Sequence, residues 1–185
     1  MMWDLPLSVK IDGKEYNIRN KCDYRVVLDV IAVIKATELT SEEKAKCALF
    51  IFYEDLSGCE DIEKAIKEMF KIINLGEDKE PNENISKPPI MDWEHDFSQL
   101  APPISRVLGY SVRNPEKYTH WYDFVGAYNE IGECTFATIV SIRNKKMKGK
   151  PLDSWEREFY IENKKIIDLP QNLTEEERAW LDSDW

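Results

Sequence analysis

Apolar residues along the chain recur with two different periods, and the change of period marks out its elements. In "LSVKIDGKEYNI" Val9 and Ile11 alternate with polar residues up to Asp12-Gly13, and Tyr16 and Ile18 alternate after it. Period two on both sides of an Asp-Gly pair predicts a β-hairpin, because that pair accepts the positive φ that a tight turn requires. From Asp23 the spacing becomes helical. "DYRVVLDVIAVIKA" carries Val27, Val30, Ile31 and Ile34 on one stripe, with Tyr24 and Leu28 beside it. Its β-branched content is high for a helix, so burial rather than propensity must hold it. In "LTSEEKAKCALFIFYEDL" Thr40 and Glu43 form a capping box that opens the next helix. Ala45, Ala48, Leu49, Phe52 and Leu56 share one face of that helix, yet Phe50, Ile51 and Tyr53 are apolar on other sides. One face cannot bury all of these, so this helix is either central or has surface to offer. A third helix is expected from Glu60 to Asn74, burying Ile62, Ile66, Met69, Phe70 and Ile73.

The stretch "LGEDKEPNENISKPP" then collects Gly76, Pro81, Pro88 and Pro89 among acids and amides, and reads as a loop or linker. It divides the chain into residues 1–75, with hairpin and helices, a connection over 76–90, and a helical region over 91–185, unless the two halves form one continuous domain. Beyond the linker Trp93, Phe97 and Leu100 are in phase, and Pro102-Pro103 should interrupt or kink their helix before Ile104, Val107 and Leu108. A helix from Pro115 to Ile131 places Trp121, Phe124, Val125, Tyr128 and Ile131 on one stripe, which by its spacing is core. Tyr122 faces elsewhere, and Gly126 would admit the close approach of another backbone. Phe136, Ile139, Val140 and Met147 place a further helix, Asp153 caps one beginning near Trp155, and "LTEEERAWLDSDW" starts a short acidic helix or tail. The fold class that follows is mainly α: a multi-helix bundle with a small N-terminal β-hairpin.

Composition narrows the chemistry. With 185 residues, 43% of them hydrophobic, the chain can build a core. Its formal net charge of −10 repels a duplex, so nucleic acid is disfavoured as a partner. The local exception is "IRNKKMKGK", where Arg143, Lys145, Lys146, Lys148 and Lys150 gather. These cations serve either a nucleic-acid or acidic partner or the helix dipole at a C-terminus ended by Gly149, and the dipole reading explains both position and glycine. Contact with the chain's own acidic C-terminal stretch is a third use. Cys22, Cys47, Cys59 and Cys134 form no CxxC pair and read as buried free thiols in a reducing cytosol. The N-terminus has neither a basic n-region nor an apolar h-region, and no run approaches the roughly 20 apolar residues of a membrane span. A protein of the cytoplasm, away from membranes, is expected.

Glu94, His95 and Asp96 are consecutive, so on a helix they point roughly 100° apart and cannot converge on a metal, with His120 the sole further imidazole. GxSxG, HExxH, GxxxxGK[ST] and GxGxxG do not occur. The reading is a protein that is not an enzyme and uses neither metal nor cofactor. Its candidate partner-binding side chains are Phe50, Ile51, Tyr53 and Tyr122, with Arg143, Lys145, Lys146 and Lys148.

From Met91 onward, "DWEHDF" and "THWYDFVGAYNEIGECTFATIVSIRNKKMKGKPLDSWEREFYIENK" resemble a family of phage and prophage proteins from long-tailed phages of Gram-positive hosts, the bacteriophage Gp-fifteen family. "YRVVLDV" and "TSEEKAKCALFIFYEDL" in the N-terminal half are compatible with it. Where the family often shows two tryptophans after the histidine, this chain has Trp121-Tyr122. The resemblance implies a small helical tail-morphogenesis protein in the cytoplasm of the bacterial host, a tail assembly chaperone that coats the tape-measure protein until tail-tube protein replaces it. It leaves two other roles open, a minor tail protein retained in the virion and a nucleic-acid-binding regulator. It carries over no catalytic residue and leaves homo-oligomerisation open.

Overall fold

A computed structural model describes residues 4–78 and 90–170. Asp12 and Gly13 take φ of 50° and 82° and fold strand β1 (Ser8–Ile11) back on β2 (Lys14–Asn17), with Val9 opposite Tyr16. Val9, Ile11, Tyr16 and Ile18 are all buried, so the hairpin lays its apolar face on the helices, as period two predicts. A 3-10 turn over Arg19–Lys21 follows, and Asn20, Lys21 and Cys22 have φ of 49°, 56° and 60°. Left-handed backbone costs a non-glycine residue roughly 1–2 kcal/mol, so three in a row need outside support. Residues 118–121 supply it. The Trp121 amide donates to the Cys22 carbonyl at 2.9 Å, the Tyr118 hydroxyl to the Lys21 carbonyl at 2.7 Å, and the Tyr24 amide to the Thr119 carbonyl at 2.9 Å.

The helices are α1 (Tyr24–Lys35), α2 (Ser41–Phe52), α3 (Ile62–Ile73), α4 (Trp93–Leu108), α5 (Trp121–Asn129), α6 (Thr135–Met147), α7 (Ser154–Glu162) and the single turn α8 (Lys164–Ile167). Helix α1 packs on α2 and α5, α4 on α5 and α6, and α8 on α6 and α7. One cluster of buried side chains, with Val27, Phe52, Met69, Leu100, Phe124 and Phe136, draws on both sides of the 79–89 segment. A smaller one of Ile139, Ile142 and Ile167 joins α6 to α8. The Thr40–Glu43 capping box is formed, with the Thr40 amide donating to the Glu43 carboxylate at 2.9 Å.

Four expectations about individual helices give way to tertiary contacts. Helix α3 buries Ala65, Met69 and Ile72 and leaves Ile62 and Phe70 exposed, because the Tyr53 hydroxyl docks on the Ala65 carbonyl at 2.9 Å and turns that row inward. Helix α4 runs uninterrupted through Pro102 and Pro103, with Leu100, Ala101, Pro103 and Ile104 buried around them. That burial outweighs the amide donors the two prolines lack. Helix α5 starts at Trp121 rather than Pro115, since the backbone of 119–121 is bonded to residues 22–24. A Cβ at Gly126 would meet nothing within 4 Å, so that glycine marks no close crossing.

Arg143 is the largest departure from the reading of the chain. It is 7% exposed, and all five of its N–H groups are donated. Two go to the Asp96 carboxylate at 2.7 and 2.8 Å, and three to the carbonyls of Ile90, Ile166 and Ile167. Asp96 is itself fully buried and also accepts from the Asp92 amide at 3.0 Å. His120 is sealed in the same way: its Nδ1 accepts from the Tyr122 amide at 3.0 Å and its Nε2 donates to the Pro6 carbonyl at 3.1 Å. That pattern selects the neutral ring, and burial lowers its pKa below the ordinary 6.5.

Three measurements check this account. Arg143→Ala leaves Asp96 charged and unpaired in the interior and should cost about 3–5 kcal/mol, read as a fall in the urea midpoint, with Arg143→Lys recovering only part. Gly126→Ala should raise stability by about 1 kcal/mol, since the site is open and helical. His120 binds its proton more readily in the unfolded chain, so its contribution is complete above pH 6.5 and is lost as pH falls through the lowered folded value. The urea midpoint should therefore drop between pH 7.5 and pH 5, and His120→Asn, which keeps a cap, should flatten that drop.

Candidate protein-binding groove

The aromatic run that opens α5 is core. Trp121, Phe124 and Tyr128 meet Trp93 of α4 at ring-centroid distances of 5.9, 5.7 and 5.2 Å, and Tyr24 of α1 lies flat on Phe124 at 4.3 Å. The Trp121 indole N–H donates to the Ile73 carbonyl at 3.0 Å. Trp93 is half-buried, and its outward edge borders an open groove of about 660 Å³ between α1 and the first turns of α4. Because α1 spends its Val27–Val30 side on α2 and α5, its Leu28, Ile31 and Lys35 are left facing the groove, with the buried Tyr24 closing one end. Leu28, Ile31, Trp93 and Phe97 make an apolar floor.

Charges stand around that floor in a defined order. At one end Lys35 Nζ meets Asp92 Oδ2 at 2.7 Å and neutralises it. At the other end are Arg25 and Arg113. Arg25 is committed to Asp23 and to the carbonyls of Val112, Asn114 and Lys117. Arg113 is exposed, with its guanidinium carbon 5.5 Å from the centre of the Phe97 ring. Along the two walls lie the exposed carboxylates of Asp29 on α1 and Glu94 on α4. Among the described residues neither carboxylate has a hydrogen bond or an ion pair. Partial desolvation beside the apolar floor raises the pKa of Asp29, which makes no ion pair to offset it.

The side chains singled out from sequence do not meet at one place. Phe50 is 77% exposed on the outer face of α2, with Arg19 stacked over its ring at 5.5 Å. Ile51 is half-buried. Tyr53 is interred, its hydroxyl spent on Ala65, so it offers nothing to a partner. Tyr122 is half-buried and edge-on to His120. Arg143 is inside the protein, as described, and leaves the surface set. Lys145 pairs with Glu156 at 2.5 Å, and Lys146 pairs with Asp168 at 2.6 Å while sitting 3.8 Å from the centre of the Tyr160 ring. Lys148 remains exposed. Of the five cations, Lys145 and Lys146 are thus neutralised by Glu156 of α7 and Asp168 after α8, and Arg143 by Asp96 of α4. His95 and His120 are bound to separate carbonyls, those of Ile166 and Pro6, and among the described residues no group of three His, Cys, Asp or Glu could hold a metal. No described helix is long and apolar enough to cross a membrane.

Sequence reasoning missed the groove. The one signal available was that α1 carries Tyr24 and Leu28 beside the stripe of Val27, Val30, Ile31 and Ile34, when the stripe alone would suffice to anchor it. Which row stays uncovered depends on where α4 begins.

Comparison with known proteins places the chain. The model of the family described as Bacteriophage Gp15 protein matches residues 2–169. No curated protein and no solved structure matches.

Proposed function

Since the chain belongs to the bacteriophage Gp15 protein family, we propose that it is a tail-morphogenesis protein, a tail assembly chaperone that holds the tape-measure protein in the host cytoplasm. Family membership over residues 2–169 is the observation that carries this reading. Two physical features support it. A holdase needs apolar surface that its own core does not consume, and the α1–α4 groove and the exposed ring of Phe50 are such surface. It also needs charge to remain dispersed while that surface is bare, and the net charge of −10 supplies it.

On this reading the protein works by binding alone and forms or breaks no covalent bond. A nucleic-acid-binding role is disfavoured, because Lys145 and Lys146 are engaged by Glu156 and Asp168 and Arg143 is interred. Coexpression with the tape-measure protein of the same phage or prophage should move that protein into the soluble fraction and copurify the two. Unchanged solubility with no copurification would overturn the proposal, and recovery of this chain in purified virions would replace it with a structural role in the tail.

A further inference from the structure

The groove between α1 and α4 has an apolar floor, two exposed carboxylates on its walls and a cation at one end, and nothing described in the chain covers it. Its long wall is α1 from Tyr24 to Lys35, 12 residues, which at 1.5 Å each spans about 18 Å, or roughly three helical turns. A groove of that length suits a helix anchored by apolar residues at i, i+4 and i+7, the standard way an amphipathic helix docks.

Charge decides what flanks those anchors. Asp29 and Glu94 are on opposite walls and are unpartnered among the described residues, while the nearby Asp92 is already answered by Lys35. An occupant with acids beside its apolar stripe would face like charge on both walls. An occupant with lysines or arginines there would supply the two missing partners. Arg113 sets direction, because the C-terminal end of a helix carries partial negative charge and is favoured beside a cation. Residue numbers along the two walls fix the geometry. Tyr24 meets Phe97 at 6.5 Å near Arg113, and Lys35 meets Asp92 at the far end, so α1 and the start of α4 run in opposite directions.

We infer that this groove seats one helix of a protein client, an amphipathic segment whose apolar stripe is flanked by lysines or arginines, lying antiparallel to α1 with its C-terminal end at Arg113. The inference rests on the reading of the protein as a holdase and names the recognition chemistry of its client. The client helix covers Leu28, Ile31, Trp93 and Phe97, and its cations pair with Asp29 and Glu94.

The test uses the full chain and two synthetic 20-residue amphipathic peptides with the same leucine stripe, one flanked by lysines and the other by glutamates. Fluorescence anisotropy should show the lysine peptide binding at least tenfold more tightly. The double variant D29R/E94R, whose exposed sites leave the fold intact by circular dichroism, should reverse that preference. A spin label at the C-terminus of the lysine peptide should broaden the amide resonance of Arg113 more than that of Lys35. Equal binding of both peptides, or a preference unmoved by D29R/E94R, overturns the inference. So does dissociation of a dimer by D29R/E94R in sedimentation, which would make a second copy of the chain the occupant. Coexpression separates this inference from the functional proposal. If wild type solubilises the tape-measure protein and D29R/E94R does so equally well, the groove assignment falls and the chaperone reading stands. If the lysine peptide binds as described but wild type has no effect on the tape-measure protein, the chaperone reading falls and the groove assignment stands.

Discussion

The bidentate pair between Arg143 and Asp96 is the contact through which the second half of the molecule is assembled. A buried charge pair of this kind is tolerable only when every donor and acceptor is used, because desolvating two ions costs more than their attraction alone returns. Here the guanidinium spends its three remaining N–H groups on the carbonyls of Ile90, Ile166 and Ile167. One side chain on α6 therefore fixes the first turn of α4, the chain just before it and the turn of α8. Aliphatic residues could fill that volume, but they could not specify which three carbonyls meet there. The pair thereby sets where α4 begins, and with it the far wall of the groove.

A second constraint works in the first half, through backbone rather than charge. Three successive left-handed residues at Asn20–Cys22 are unfavourable alone, and the bonds from residues 118–121 hold them. His120 extends the same clasp to Pro6 through its neutral ring. Residues far apart in the chain are thus knotted by hydrogen bonds before any apolar packing is counted, and Tyr24 is delivered to the point where it stacks on Phe124.

Together these two constraints explain why a groove survives in a protein with ample apolar material. Helix α1 is oriented by the left-handed turn and Asp23, and α4 by Asp96, so neither is free to slide until their facing rows close. The cations near the groove are similarly committed. Arg25 holds the 112–117 loop and Lys35 holds Asp92, which leaves the carboxylates of Asp29 and Glu94 without internal partners among the described residues. Surface that the fold cannot consume is the surface a partner can use.

Periodicity along the chain was enough to establish the hairpin, the order of the helices among the described residues, the Thr40 and Asp153 caps and the core status of the Trp121–Ile131 stripe, since each of these depends on residues a few positions apart. The acidic helix or tail expected from Leu173 lies outside the described residues. The family was legible too, in the stretch from "DWEHDF" to "YIENK". Side-chain identity alone misled wherever long-range pairing decided the outcome. Arg143 looked like one more cation in "IRNKKMKGK" and proved to be the interior partner of Asp96, and Tyr53 looked like spare surface and proved to be the anchor of α3. The buried row of α3, the late start of α5 and the uncovered row of α1 were settled only by tertiary structure. A helical pattern says which residues share a face. Which face is buried depends on partners tens of residues away, to which local spacing is blind.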